Sequence, residues 1–177
     1  MSYFSHPATA CVALLLNLAF STFVLAEDIY QQPADFLAGA FDGDLPPASR
    51  LWITEKIKPA IRNILGRDLG QLRVRYWRGV ERTAWILDEI GKDRPITTGI
   101  VVEGGKVTTM RVLIYRESRG AEVRHPAFVE QFYGARLRER DELDRPIAGI
   151  TGATLSVRAL TRLARLALLL DQHARTE

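Results

Sequence analysis

The sequence predicts an α+β domain, a twisted antiparallel sheet of about four strands flanked by helices. Three observations carry this. From Leu72 onward the apolar residues recur with a period of two, first in Leu72-Arg-Val-Arg-Tyr76. The runs Ile100-Val101-Val102 and Met110-Arg-Val-Leu-Ile114 flank Gly104-Gly105, the residue pair that a tight hairpin turn with positive φ requires. The chain ends in a long stretch, Thr154 to Ala174, apolar at Leu160, Leu163, Ala167 and Leu170 and basic on another face, as an amphipathic helix would be.

Glu27 to Pro47 reads as a Pro-flanked lead-in with a small helix around Asp35 to Ala40. Ser49 to Ile53 fits either a strand or the first turn of a helix. Thr54 is the expected N-cap of a helix with Glu55 and Pro59 in or near its first turn, where an acid suits the dipole and a missing N–H costs little. Ile57, Ile61, Ile64 and Leu65 then recur at helical spacing and Gly66 closes the element. Thr83 to Ile90 is a strand, and Pro95 to Glu103 with Lys106 to Arg116 forms the clearest hairpin. Tyr76, Trp77 and Trp85 lie on strands, as core or sheet-surface aromatics. His125-Pro126 starts a helix running to about Gly134, with Pro at its first position. Arg138 to Arg145 is a charge-dense loop, and Pro146 to Gly152 a loop containing two glycines.

The length of 177 residues fits one domain, and 47% hydrophobic with 25% charged residues suits a chain with a real core. Residues 1–26 stand apart: they contain no Asp, Glu, Lys or Arg, are almost wholly apolar from Ala10, and end in Val24-Leu25-Ala26 before the acidic Glu27-Asp28. That is the layout of a secretory signal peptide, with an uncleaved membrane anchor as the alternative, and it places the protein in the periplasm or cell envelope. The expected organisation is thus a signal peptide over 1–26, the N-terminal part of one domain over 27–93 and its core over 94–177. The only cysteine, Cys11, lies in the apolar segment, so the chain beyond it has no thiol for disulfides, thiolate zinc sites, iron–sulfur clusters or nucleophilic catalysis. The net charge of +3 comes from scattered basic residues, among them Arg73, Arg75 and Arg78 on one segment and Arg158, Arg162 and Arg165 on another. A nucleic-acid binder needs a concentrated patch with stacking aromatics, and that class is rejected. No His/Asp/Glu set has metal-ligand spacing, and no Gly-x-Ser-x-Gly elbow is present.

The segment Ala148-Gly149-Ile150-Thr151-Gly152-Ala153-Thr154-Leu155-Ser156 joins the glycine-containing loop to the final helix. The first N–H groups of a helix lack intrahelical partners and its dipole favours negative charge, so this junction is suited to a phosphate-containing ligand. Gly152 and Ala153 allow close approach to the backbone, and Thr151, Thr154 and Ser156 add hydroxyls. The plainer reading is a simple cap at Thr151, with Gly149 and Gly152 serving the turn.

Thr151-Gly-Ala-Thr-Leu-Ser156 resembles the signature of FMN-binding domains, of the kind found in the C subunit of the sodium-translocating NADH:quinone oxidoreductase and in related small exported flavoproteins. The resemblance extends to the hairpin Ile96 to Val107, the Glu-centred loop Glu117 to Gly120 and the helix directly after the motif, over about Arg94 to Leu170. It implies FMN as cofactor, attached by a phosphoester bond to Thr154 and placed there by a Mg-dependent flavin transferase that uses FAD as donor. It also implies a phosphate cradle of Thr151, Gly152 and Ala153, with Glu117, Ser118, Arg119 and Gly120 near the flavin ring. The chain departs from the family pattern at Ala148, where an Asp that forms part of the transferase's recognition usually stands.

The function implied is electron transfer between envelope or membrane redox proteins through bound FMN, a carrier rather than an enzyme with its own substrate and with no catalytic residues of its own. The alternatives are a flavin-dependent small-molecule reductase and an envelope scaffold or accessory protein that holds FMN non-covalently or not at all.

Overall fold

The computed structural model describes residues 27–176; the expected signal peptide and Cys11 lie outside them. The elements are β1 (Asp28–Ile29), α1 (Pro33–Ala40), β2 (Ala48–Trp52), α2 (Lys58–Leu65), β3 (Arg73–Arg78), β4 (Arg82–Ile90), β5 (Pro95–Glu103), β6 (Lys106–Tyr115), α3 (Pro126–Val129) and α4 (Thr154–Ala174). Single 3-10 turns occupy Ala121–Arg124, Glu130–Phe132 and Glu139–Asp141.

The class is α+β with an open antiparallel sheet flanked by helices, but the sheet has six strands in the order β1-β6-β5-β4-β3-β2 rather than about four. The two extra strands lack a side-chain signal. β2 buries a single residue, Leu51, and β1 is two exposed residues held by pairing Asp28 with Tyr115 and Ile29 with Ile114. β2 to β6 form a meander of sequence neighbours, and only β1 is out of order. The β5–β6 hairpin turns at Gly104 (φ 57) and Gly105 (φ 71), the double positive φ of a type I′ turn. Register between β3 and β4 covers only Tyr76↔Trp85 to Arg78↔Thr83, whereas β4 and β5 pair along their whole length. The strands β3 and β4 therefore part below Trp85.

Two helix expectations need correction. α2 begins at Lys58 with Ile57, not Thr54, at its cap. The Thr54 carbonyl accepts from the amides of Ile57 (3.1 Å) and Lys58 (3.2 Å), so Thr54 opens a preceding turn instead. The expected helix from His125 to Gly134 divides into α3 and a 3-10 turn at Glu130–Phe132, with Gly134 (φ 77) after it.

One sheet face carries the main core. Trp85, Leu87, Ile96, Ile100, Met110 and Val112 pack against Ile61 and Ile64 of α2 and Leu160, Leu163, Ala167 and Leu170 of α4. Tyr76 stacks on Trp85 with ring centroids 4.8 Å apart, while Trp77 is half-buried on the other face. That second face is covered by Phe36, Leu37 and Ala40 of α1 over Ala84, Val101 and Leu113. β5 is buried on both sides, and Gly99 is what lets α1 in: a Cβ there would lie 2.6 Å from the Phe36 ring.

Two buried carboxylates fix α4 to the sheet. Glu89 on β4, 2% exposed, pairs with Arg67 (2.5 Å) and Arg162 (3.2 Å). Asp171, 1% exposed, accepts the Thr83 hydroxyl (2.6 Å) and the Arg175 Nε–H at 2.9 Å; Thr83 in turn accepts the Trp85 indole N–H at 2.9 Å. The register of α4 along the sheet, and with it the position of its first turn, is set by these contacts.

Candidate functional site

The segment before α4 is irregular and mostly exposed from Pro146 to Gly152. Its last turn needs Gly152, whose φ is +84, and closes with the Ala153 amide on the Ile150 carbonyl at 3.0 Å. The cap residue is then Ala153, which has no side chain to give the helix. Thr151 lies before the cap, so the simple-cap reading of that residue does not hold. The first helical hydrogen bond runs from Val157 N–H to Ala153 C=O (2.9 Å). The amides of Thr154, Leu155 and Ser156 accordingly have no acceptor among the described residues. A helix of this length with three free N–H groups is a site for an anion.

The loop Glu117 to Gly120 lies directly against this first turn. Gly120 (φ +88) has no room for a side chain: a Cβ would stand 2.8 Å from Ser156 Oγ, 3.0 Å from Tyr115 Oη and 3.3 Å from Ala153 Cβ. Tyr115 donates to the Arg119 carbonyl (2.5 Å), which leaves its oxygen to accept from Ser156 Oγ at 2.9 Å. The end of β6, the loop and α4 are thereby joined in one hydrogen-bonded chain. Burial pushes the Tyr115 phenol above the ordinary value of 10.0, partly offset by the Ser156 hydrogen bond. A raised folded value means that the unfolded chain releases this proton first, so the contribution is whole below the ordinary value and lost as pH rises past it. Chemical denaturation across that range is expected to show a stability decline that is shallower in Tyr115→Phe than in the wild type; equal slopes would refute it.

Glu117 has a structural task. Its Oε1 accepts the amides of Lys92 (2.5 Å), Asp93 (2.7 Å) and Arg94 (2.9 Å), which form the turn between β4 and β5. Gly91 makes room for it, since a Cβ there would be 2.9 Å from that oxygen. One carboxylate thus clasps the turn to the loop.

Between these parts opens a pocket of ≈ 520 Å³ lined by Glu117, Ser118 and Arg119 from the loop, Gly152 to Ser156 from α4 and its approach, and Lys92 from the clasped turn. Its size suits a small ligand or cofactor. Of the residues expected from sequence, Thr154, Gly152, Ala153, Glu117, Ser118 and Arg119 line it; Gly120 lies buried beneath the loop and Thr151 is outside the lining. Ser156, expected as a further hydroxyl, lines it too, and Lys92 and Leu155 are additions. The Thr154 side chain is exposed, and the Arg119 guanidinium has no acceptor among the described residues. Free helix amides, Arg119 and Lys92 together fit a phosphate group at this end of the pocket.

Hollows of ≈ 600 Å³ beside Trp77 and ≈ 620 Å³ beside Pro46 and Pro47 are larger; the first takes in Pro33 and Ala34 at the start of the short helix α1, whose first residue has no N–H to offer, and the second has no helix N-terminus in its lining. The lining chemistry selects the site, not the volume. Asp144 cannot stand in for an acid at Ala148: it accepts the Arg136 amide (3.2 Å) and pairs with Arg145 (3.0 Å), which holds its carboxyl below the ordinary carboxylate range. Ala148 is exposed, its amide held by Gln131 Oε1 at 2.7 Å. Among the described residues no group of His, Cys, Asp and Glu is placed to hold a metal ion, and no helix is long and apolar enough to cross a membrane.

The family model described as FMN-binding domain matches residues 91–169, the stretch that contains β5, β6, the clasping loop and most of α4. Comparison with curated proteins returned no match, and comparison with solved structures returned none.

Proposed function

Residues 91–169 are an FMN-binding domain, and on that premise we propose that the chain is an exported electron carrier whose FMN is joined through its phosphate to Thr154. The observation that carries this reading is the uncapped start of α4, where three free amides and the exposed Thr154 hydroxyl face the pocket opposite Glu117 to Arg119. The helix amides and Arg119 hold the phosphate, Thr154 Oγ supplies the phosphoester oxygen, and the clasped loop forms the wall beside the ring. The redox chemistry when FMN is bound belongs to its isoalloxazine; the chain contributes placement and electrostatics. Export rests on the apolar residues 1–26, and FAD with a Mg-dependent flavin transferase is the source of the group.

Ala148 favours a second reading, in which the same pocket holds FMN without the covalent bond. Both readings are tested by expressing the chain with and without the transferase and recording intact mass and visible spectrum. We expect a mass increase matching FMN that disappears in Thr154→Val and rises in yield in Ala148→Asp, an exposed position with space for the acid. A yellow protein that loses its colour on denaturation would establish the non-covalent form. A colourless chain in both preparations would overturn the carrier reading. Turnover with a soluble acceptor would move it to a reductase.

A further inference from the structure

A second cavity, of ≈ 380 Å³, lies between α4 and the segment Glu142 to Ile147. Its apolar wall is Leu143, Pro146, Ile147 and Val157, and its polar lining holds four arginines, Arg145, Arg158, Arg162 and Arg165, against one acid, Glu142. Arg158, Arg162 and Arg165 share one side of α4 at spacings that place them beside one another, where like charges repel.

The acids nearby are already engaged. Glu142 pairs with Arg165 (3.1 Å), Asp144 with Arg145 (3.0 Å), and Glu89 is divided between Arg67 and Arg162. Arg145 further spends its guanidinium on the carbonyls of Tyr133 (3.0 Å) and Gly134 (3.1 Å). Arg158 has no acceptor among the described residues, and Arg162 has donors left over from its single bond to Glu89. The cavity therefore presents an uncompensated planar fork beside an apolar wall.

The two residues that lead into this segment are firmly held, although their backbone is strained. Arg140 (φ 60) and Asp141 (φ 59) are consecutive left-handed residues without being glycine. Asn63 binds the Arg140 carbonyl (2.8 Å) and the Asp141 carboxylate (3.1 Å), and Arg165 Nε donates to the Asp141 carbonyl. Strain of this kind persists only where the surroundings over-determine it, and it collects at ligand sites.

We propose that this cavity binds a small organic carboxylate, its charged end on the Arg158 and Arg162 guanidinium groups and its apolar body on Leu143, Pro146, Ile147 and Val157. A carboxylate matches the guanidinium fork in two parallel hydrogen bonds, and the apolar wall rewards a carbon skeleton over a bare ion. The site is separate from the flavin pocket and does not depend on FMN.

The test is titration of the full chain with benzoate and with its neutral isostere benzamide, by calorimetry and by chemical-shift mapping. Benzoate is expected to bind, benzamide about tenfold or more weakly, and Arg158→Gln to lower benzoate affinity about tenfold. Arg158 is exposed on α4, so the variant keeps the fold, checked by its helix dichroism; Arg158→Lys, which keeps the charge without the fork, restores part of the affinity. Thr154→Val is expected to bind benzoate as the wild type does. No benzoate binding, equal affinity for the two probes, or affinity unchanged in Arg158→Gln would overturn the site. Loss of benzoate binding in Thr154→Val, or its displacement by inorganic phosphate with shifts at Leu155 and Ser156, would place the anion in the flavin pocket and overturn it likewise.

Discussion

Replacing Asp171 by alanine is expected to cost about 3 kcal/mol of folding stability, the lower end of the usual cost of breaking a buried ion pair. The carboxylate is 1% exposed and is the common acceptor of Thr83 and Arg175. Without it, the Thr83 hydroxyl still accepts from Trp85 but loses its own acceptor inside the core. The Arg175 side chain remains 31% exposed, and water reaching it limits the loss. Against an ordinary domain stability of about 5–15 kcal/mol, the change is large. Urea denaturation measures it directly. Asp171→Asn, which keeps an oxygen for Thr83, should cost less; an alanine variant within about 0.5 kcal/mol of wild type would mean that the network contributes little.

Gly120→Ala is expected to have the next largest effect and to act on the site as well as on stability. The left-handed φ of +88 penalises any Cβ by about 1–2 kcal/mol. The contacts at 2.8 Å to Ser156 Oγ and 3.0 Å to Tyr115 Oη add an overpacking cost of about 1–3 kcal/mol. Gly152→Ala is the control, since its φ is +84 but nothing lies within 4 Å of the added carbon. The difference between the two variants therefore isolates the crowding. Because the displaced atoms belong to the first turn of α4 and to the loop carrying Arg119, flavin content should fall more in Gly120→Ala than stability alone accounts for. Equal melting in the two variants would refute the close packing of loop and helix.

How much of this was legible in the sequence depended on whether the deciding partners were local. α4 was readable to its ends because Leu160, Leu163, Ala167 and Leu170 mark one face of a long element. The β5–β6 hairpin was readable because Gly104-Gly105 demands its turn. β1 was not, and β2 was left open between a strand and a helical turn, as their membership rests on backbone pairing to Tyr115 and to β3, with one buried side chain between them. Thr54 had the chemistry of a cap, but tertiary packing started α2 three residues later, at Ile57 and Lys58. At the site, the phosphate-suited loop was visible in residue types alone. The task of Glu117 was not, because its three partners are main-chain amides whose side chains, Lys92, Asp93 and Arg94, carry no trace of it. The one available hint was Gly91, a small residue where the carboxylate needs space.

The meander order of β2 to β6 bears on the sequence of events during folding. From β3 to β6 each strand finds its neighbour by closing a short loop, which is entropically cheap and fast, whereas β2 reaches β3 across α2. α4 instead meets the sheet across long stretches of chain: Ser156 reaches Tyr115 over 41 residues and Asp171 reaches Thr83 over 88. Contact order thus puts the hairpins first and the docking of α4 last. The loop Glu117 to Gly120 lies between the two, so its shape is set only in that final step, after the surface that receives it has formed.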